Sequence, residues 1–232
     1  MSFVSPCFPR LSLLQGMRSL AISAVAIVVT ILFTPTSATA APGDLDTSFA
    51  GGSGIHLFPV EPQANAMASA LQSDGRIITV RICQSFQSTC VTRLSADGAT
   101  QDMSFNTSGE RIINDGGQTY PVGVEIDSSN RILITATCSG LACLFRLTAN
   151  GALDTTFGNN GRAVFGAAAL ALMGDGRIVV AFGCFNTIQP GIYGFCVMRL
   201  TANGTADPSF NGGSVVQIAI AARDSFPRSI AL

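Results

Sequence analysis

One fifteen-residue motif, CLFRLTANGALDTTF at 143–157, constrains the fold most, because similar motifs recur along the chain. CVMRLTANGTADPSF follows at 196–210, and CVTRLSADGATQDMSF comes before it at 90–105. The Phe residues that end these motifs, together with Phe49, stand 56, 52 and 53 residues apart. A period near 50 residues indicates a repeat architecture, in which each unit buries its apolar face only against its neighbours.

Each unit contains short segments rich in Val and Ile that are bounded by D-G, S-N or N-G turns, a pattern typical of β-strands. We take the segment after the Phe, such as RAVF at 162–165, as the first of four strands in its unit. The sequence therefore predicts an all-β protein, an antiparallel β-propeller-like array of about three and a half four-stranded units of about 53 residues. The units are residues 45–101, 102–152, 153–206 and a partial unit, 207–232.

The motifs LDTTFGNNGRAVF, ALALMGDGRIVVA and MRLTANGTADPSFNGG resemble the delta-60 repeat, a bacterial repeat thought to build propeller-like domains. The resemblance covers the chain from Leu45 to the C-terminus. It implies a propeller-like fold and no particular reaction. The family usually has Gly after the Phe; here only Gly158 matches, and Ala50, Asn106 and Asn211 stand in its place. This departure puts the geometry of that turn in question.

The N-terminal segment has a different composition. Arg10 and Arg18 precede the apolar run SLAISAVAIVVTILF at 19–33, and Ala-Thr-Ala follows it at 38–40. This order is typical of a signal peptide with its cleavage site. The sequence predicts a signal peptide over 1–40 and a mature chain, 41–232, that is secreted, periplasmic or at the cell surface and not membrane-bound. The alternative is an uncleaved N-terminal anchor.

The charge of the chain is nearly balanced, with 13 basic residues, all of them Arg, and 14 acidic residues. No strong field would therefore attract nucleic acid. The expected partner is an unidentified protein or a glycan.

Six cysteines of the predicted mature chain form three pairs, and each pair occupies equivalent positions in one repeat unit. In an exported chain such pairs are oxidised, so we predict the disulfides Cys83–Cys90, Cys138–Cys143 and Cys184–Cys196. For the middle pair, a turn at 140–141 would place the two cysteines directly opposite each other, with Cα atoms about 4.5 Å apart. Free thiols and a metal site are the alternatives. The spacings vary and His56 is the one histidine, so we expect no metal and no cofactor.

Polar residues that return in every unit are expected to be structural, because a catalytic residue is normally needed once. We predict that the recurring Asp residues hold turns, that the recurring Arg residues cover apolar surface and bond turn carbonyls, and that the recurring Phe residues anchor the core. The three sets are Asp46, Asp102, Asp154 and Asp207; Arg76, Arg131, Arg177, Arg93, Arg146 and Arg199; and Phe49, Phe105, Phe157 and Phe210.

Few polar residues remain when the repeat is subtracted. Glu125 stands where the other units have Ala70 and Ala171, and Asp127 follows two residues later, so both are expected on one face of a strand. They are weak candidates for a ligand site; a solvated strand face is the alternative. The remaining residues are His56, Glu61, Glu110, Asp115, Tyr120, Asp224 and a few Arg.

These observations favour an exported, non-catalytic repeat module that binds a partner or has a structural role, since no catalytic motif is present. The alternatives are a propeller-type hydrolase or lyase with its site at the central opening, and a fragment of a longer propeller. Closed propellers typically have about 4–8 blades. Three and a half units therefore predict a truncated piece of a longer propeller, closure by a second copy as a homodimer, or an open, solenoid-like arc.

Overall fold

The apolar segments between the turn dipeptides form β-strands, which confirms the all-β prediction. The computed structural model describes residues 43–58, 65–84, 87–164, 169–185, 193–218 and 229–230, so the predicted signal peptide lies outside the described residues. Three short 3-10 turns, Phe49–Gly52, Phe105–Thr107 and Asn211–Gly213, follow the recurring Phe residues or begin with them. The strands in the described residues are β1 Asn65–Leu71, β2 Ile77–Cys83, β3 Ser88–Leu94, β4 Glu110–Ile113, β5 Thr119–Ile126, β6 Ile132–Cys138, β7 Leu141–Leu147, β8 Arg162–Val164, β9 Ala169–Leu172, β10 Ile178–Phe185, β11 Tyr193–Leu200 and β12 Val216–Ile218.

The described strands pair into three antiparallel four-stranded sheets. Their orders are β1-β2-β3-β4, β5-β6-β7-β8 and β9-β10-β11-β12. We call them the first, second and third sheets. The first strands of neighbouring sheets, β1 with β5 and β5 with β9, lie beside one another. This is the arrangement of consecutive propeller blades, whose inner strands face a common axis.

The sheets are displaced by one strand from the sequence units. The segment after the Phe, which we expected to open the sheet of its own unit, is instead the last strand of the sheet before it. In the first sheet, Val91 of β3 pairs with Arg111 of β4, and in the second, Phe145 of β7 pairs with Arg162 of β8. The described strands thus form three complete four-stranded sheets. The physical reason is that the short connection after the Phe reverses the chain and pairs the segment with the strand that it has just left.

The core consists of two layers, one on each face of the second sheet. Phe105, Ile134 and Phe145 belong to the layer shared with the first sheet. Leu133 and Phe157 belong to the layer shared with the third sheet. Since neighbouring residues of a strand point to opposite faces, β6 is apolar at successive positions and is buried along nearly its whole length.

All three predicted disulfides are present. The Cα–Cα distances are 5.9 Å for Cys83–Cys90, 6.0 Å for Cys138–Cys143 and 5.9 Å for Cys184–Cys196.

The expected geometry of the middle disulfide is wrong, however. The turn comprises Ser139 and Gly140, both with positive φ, so Cys138 pairs with Leu141 and Cys143 pairs with Ala136. The two cysteines are diagonal neighbours on one face and not directly opposite. Positive φ at both central residues matches a type I′ turn, which fits the twist of the hairpin.

Candidate functional site

The recurring Asp residues hold the turn that leads to each Phe, as predicted. We call the four segments 46–49, 102–105, 154–157 and 207–210 the Asp–Phe motifs. In the second, the backbone N–H and the hydroxyl of Ser104 both donate to Asp102 Oδ1, at 2.9 and 2.6 Å. Ser209 donates to Asp207 in the same way, at 2.9 and 2.7 Å. These hydrogen bonds, first of all that from the Ser209 hydroxyl, lower the pKa of Asp207 to about 2.

The Arg residues at the end of β3 and β7 are buried between an Asp and a Phe. Arg146 Nε donates to Asp154 Oδ2 at 2.8 Å, and its guanidinium carbon lies 4.5 Å from the centre of the Phe157 ring. The side chain is 1% exposed. Its Nη1 donates to the carbonyl of Ala202, which lies in the turn of the next unit. Arg93 repeats this set of contacts with Asp102, Phe105 and Ala149.

Within the described residues, the side chains of the other recurring Arg residues donate to carboxylates near the surface and not to turn carbonyls. Arg177 binds Asp175, and Arg76 binds Asp74 and Asp102. In the second unit, Ser129 stands where the other units have this Asp.

In the second unit, the carboxylate of Asp127 accepts the hydrogen bonds that this Asp accepts in the other units. Its Oδ1 accepts from the backbone N–H groups of Ser129 and Arg131, both at 2.9 Å, and its Oδ2 accepts from Arg131 Nε at 2.6 Å. Asp127 lies just after the end of β5 and not on the strand face that the sequence suggested. Both of its oxygens are thus used by the turn.

Glu125, unlike Asp127, takes no part in this turn. It lies on β5 beside a cavity of about 240 Å³ at the inner strands. The cavity is lined by residues of β1, β5, β6 and β9 and by Ser229 and Ile230. Burial against these neighbours raises the pKa of Glu125. The structure therefore does not bring the two sequence candidates together as a carboxylate pair.

A larger cavity, of about 460 Å³, lies between the first and second sheets at their last strands. We call it the inter-sheet groove. Its apolar floor includes Ile113 and Phe145, which are 6% and 4% exposed. Its polar lining is Arg111, Asn114, Asp115, Asn159, Asn160 and Arg162.

The groove carries excess positive charge. Arg162 Nη1 lies 2.7 Å from both carboxylate oxygens of Asp115, so this cation is paired. Arg111 forms no ion pair within the described part of the chain, and its buried Nε, like that of Arg162, has no hydrogen-bond partner there. Two guanidinium groups and one carboxylate leave a net charge of +1. A buried guanidinium N–H without an acceptor is costly, so an anion in the groove would be stabilised.

Sequence reasoning found Asp115 as a residue outside the repeat but did not identify Arg111 or Arg162. Arg162 pairs with Phe145, and its counterpart in the first sheet is Glu110, which pairs with Thr92. Arg111 pairs with Val91, and its counterpart in the second sheet is Ala163, which pairs with Leu144. Neither Arg therefore belongs to the repeat. The sequence signal for both residues is the alignment of the segments that follow the Phe residues, in which Arg162 stands opposite Glu110 and Arg111 opposite Ala163.

The three sheets with their repeated Arg, Asp and Phe contacts define a β-propeller-like repeat domain. A family model described as a β-propeller domain of unknown function, DUF5122, matches residues 128–157 and 174–210, which lie in the second and third repeat units and the start of the partial unit. This match supports a propeller-like repeat family.

Comparison with solved structures gives a match to a protein of unknown function from Bacteroides caccae, with 10% sequence identity and a TM-score of 0.44. The match covers 73% of this chain and 52% of that one, so the chain spans about half the length of that protein. No curated protein matches the chain.

The three disulfides indicate an oxidising environment. Among the described residues there is no helix of the length and apolarity that crossing a membrane requires.

Proposed function

We propose that the chain is an exported, non-catalytic binding module of the delta-60 type, and that its inter-sheet groove binds an acidic glycan. The observation that carries the proposal is the unpaired guanidinium of Arg111 above an apolar floor, at a position that the repeat does not require. Export is supported by the disulfides and by the signal-like segment 1–40. The delta-60 assignment is supported by the fixed order of the motifs.

A uronic acid fits the groove chemically. Its carboxylate would accept from the free N–H groups of Arg111, which bind planar carboxylates well. Its hydroxyls would meet the side chains of Asn159, Asn160 and Asp115, and the apolar face of the sugar ring would cover Phe145. Sites with an apolar lining and a few convergent polar groups are typical of small-ligand binding.

Titration calorimetry with tri-galacturonic acid tests the proposal, with the neutral galactose trisaccharide as the control ligand. The wild-type chain should bind the acidic sugar, and Arg111→Gln should weaken binding by about tenfold or more, since an ionic hydrogen bond is lost. Arg177→Gln, which removes a recurring Arg far from the groove in sequence, is the matched control and should leave the affinity unchanged. Equal binding of the neutral sugar, or an unaffected Arg111→Gln variant, would refute the proposal.

Glu125 favours a second candidate, a hydrolase or lyase with its site at the inner strands, because a carboxyl with a raised pKa can act as a general acid. The candidate is weaker because Asp127 is bound by its own turn. Assays of the chain and of Glu125→Gln on polysaccharides would detect it. Turnover that Glu125→Gln abolishes would favour the enzyme over the binding module.

A further inference from the structure

Neighbouring repeat units are joined by one contact that recurs three times. Each glycine turn, 95–98, 148–151 or 201–204, covers the Phe of the preceding Asp–Phe motif. A Cβ on Gly151 would lie 2.6 Å from the ring of Phe105, and one on Gly204 would lie 2.6 Å from Phe157. Phe49 lies closer still beneath Gly98. Phe105 and Phe157 are completely buried.

The fourth Asp–Phe motif has no such cover among the described residues. Phe210 is partly exposed, although Arg199 lies over its ring at 5.0 Å. Arg199 binds Asp207 and Ser209 of its own motif, but within the described residues its Nη1 makes no bond equivalent to the one that Arg146 donates to the carbonyl of Ala202. The side chain of Arg199 is 16% exposed, whereas those of Arg93 and Arg146 are 2% and 1% exposed.

The fourth motif also has a backbone N–H group without an acceptor among the described residues. The N–H groups of Asn106 and Gly158 donate to Asn150 and Asn203 in the next glycine turn, both at 2.8 Å. The equivalent N–H of Asn211 makes no such bond within the described residues. The fourth motif therefore presents an aromatic ring, a guanidinium N–H and a backbone N–H in the arrangement that the two earlier motifs use to bind a glycine turn.

The first glycine turn, at 95–98, has a carbonyl acceptor that matches the free guanidinium N–H of the fourth motif. Phe49 packs under Gly98, and Ala50 donates its N–H to the Asp97 carbonyl at 2.7 Å. No Arg lies over Phe49 among the described residues, however, and the carbonyl of Ala96 accepts no hydrogen bond there, whereas the equivalent Ala149 and Ala202 each accept one from an Arg. Phe49 thus makes only part of the contact that a complete motif makes.

The face of the first sheet that carries this turn is also less covered than that of the second sheet. Strand β1 is mostly exposed, and Met67 and Leu71 are 47% and 66% exposed. Strand β2 is buried at alternate positions along most of its length, whereas β6, between two sheets, is buried at nearly all of them. An apolar strand face of this kind is typical of a surface that another sheet covers.

We propose that the fourth Asp–Phe motif of one copy of this chain docks on the first glycine turn of a second copy and displaces Phe49. Phe210 then lies under the second copy's Gly98, Arg199 donates to the Ala96 carbonyl, and Asn211 donates to the Asp97 carbonyl. The third sheet of one copy covers the first sheet of the next. This interface is head-to-tail, so it either closes into a ring or continues into a longer array. It is independent of the groove and its ligand.

Sedimentation velocity of the purified mature chain, over a range of concentrations, tests this contact. The wild-type chain should associate reversibly. Phe210→Ser should weaken association by about tenfold or more, because it removes a buried aromatic anchor. Phe49→Ser should strengthen association, because it removes the intramolecular competitor, and Phe49→Ser combined with Phe210→Ser should again be weak.

Two further variants keep the test decisive. Arg199→Lys retains the charge and the stem of the side chain but not its planar fork, so it should weaken association even if Phe210→Ser fails to fold. Leu141→Ser removes an apolar side chain that is 63% exposed at the β6–β7 hairpin and should have no effect. A monomer at all concentrations, association that Phe210→Ser and Arg199→Lys leave unchanged, or weaker association of Phe49→Ser would overturn the proposal.

Discussion

The contacts between sheets depend on the buried residues Arg93 and Arg146. Arg146 is held by Asp154, Thr156 and the carbonyl of Ala202 and lies over Phe157, so its charge is compensated on every side. Removing one partner of such a buried pair leaves the other charge uncompensated, which costs far more than the pair itself contributes. The same side chain also joins two sheets, because Ala202 belongs to the third sheet's turn.

Replacement of Arg146 by Ala should therefore lower the free energy of unfolding by about 3 kcal/mol or more. The matched control is Arg177→Ala, since Arg177 is also a recurring Arg with Asp partners, Asp175 and Asp207, but is about one-third exposed. Its loss should be much smaller, because surface ion pairs contribute little. Urea denaturation followed by circular dichroism measures both. Equal losses in the two variants would contradict the assignment of Arg146 as the inter-sheet contact.

The Asp–Phe motifs also predict how stability depends on pH. The pKa of Asp207 is about 2 in the folded chain, below its ordinary value of 3.8, and hydrogen bonds from Ser104 likewise lower the pKa of Asp102. A depressed pKa contributes stability that is present above the unfolded value and is lost as the pH falls through the folded value. The melting temperature should thus fall between about pH 4 and pH 2.

The variant Asp207→Asn isolates this effect. It should lower the melting temperature at neutral pH and flatten the acid limb of the profile, because one of the groups that titrate there is gone. Thermal melts across the acid range measure the slopes, and an unchanged slope in Asp207→Asn would show that another group controls the acid transition.

At the scale of the residue, the sequence was informative wherever a residue recurred. The roles of the recurring Asp residues, of Arg93 and Arg146, and of Phe105 and Phe157 followed from their repetition and their turn chemistry. The role of Asp127 did not, because it depends on Ser129 standing where the other units have an Asp. A compensating exchange of this kind changes two neighbouring positions at once and becomes visible only when the hydrogen bonds of the turn are known.

At the scale of the strand, the disulfide pairing could be predicted but its register could not. The repeat placed each pair on one hairpin, and all three pairs are now seen as diagonal neighbours: Arg81, not Cys83, pairs with Cys90, and Phe182, not Cys184, pairs with Cys196. Register in a hairpin is fixed by the turn type. The Cys138–Cys143 loop allowed two placements of a two-residue turn, and composition did not distinguish them.

The middle disulfide should stabilise its hairpin without being required for the fold. The chain-entropy model assigns roughly 2–3 kcal/mol to a loop this short. Cys138→Ala combined with Cys143→Ala should thus lower stability by at most about that amount, and amide exchange should rise mainly in β6 and β7. Non-reducing peptide mapping of the wild type should recover the three bonds within their hairpins. A bond between hairpins would contradict the assigned pairing.

At the scale of the molecule, a repeat fixes its period but not its phase. The four strands of a unit can be grouped from any starting strand, and only the backbone pairing of β4 with β3 shows that the segment after the Phe closes the preceding sheet. The inter-sheet groove could not be predicted for the same reason. Its Arg111 and Arg162 come from neighbouring sheets that meet only once this phase is set.

The predicted signal peptide is tested by the N-terminus of the exported protein. Edman sequencing of protein from the periplasm or the medium should begin at or near Ala41, because the A-x-A site at 38–40 precedes it. Ala40→Glu should block processing and serves as the control. A mature chain that retains Phe33 would instead favour an uncleaved anchor.

Phe105 and Phe157 each join two sheets by packing under the glycine of the next unit's turn, and a double-mutant cycle between Phe105 and Gly151 tests this contact most directly. Gly151→Ala should be costly, because the new Cβ meets the Phe105 ring and φ is +86°. Gly140→Ala, at φ +83° with open space around it, measures the backbone cost alone. In a Phe105→Leu background the cost of Gly151→Ala should fall toward that of Gly140→Ala, with a coupling of at least about 1 kcal/mol. Additive costs in the cycle would contradict the contact and, with it, this account of how the sheets are joined.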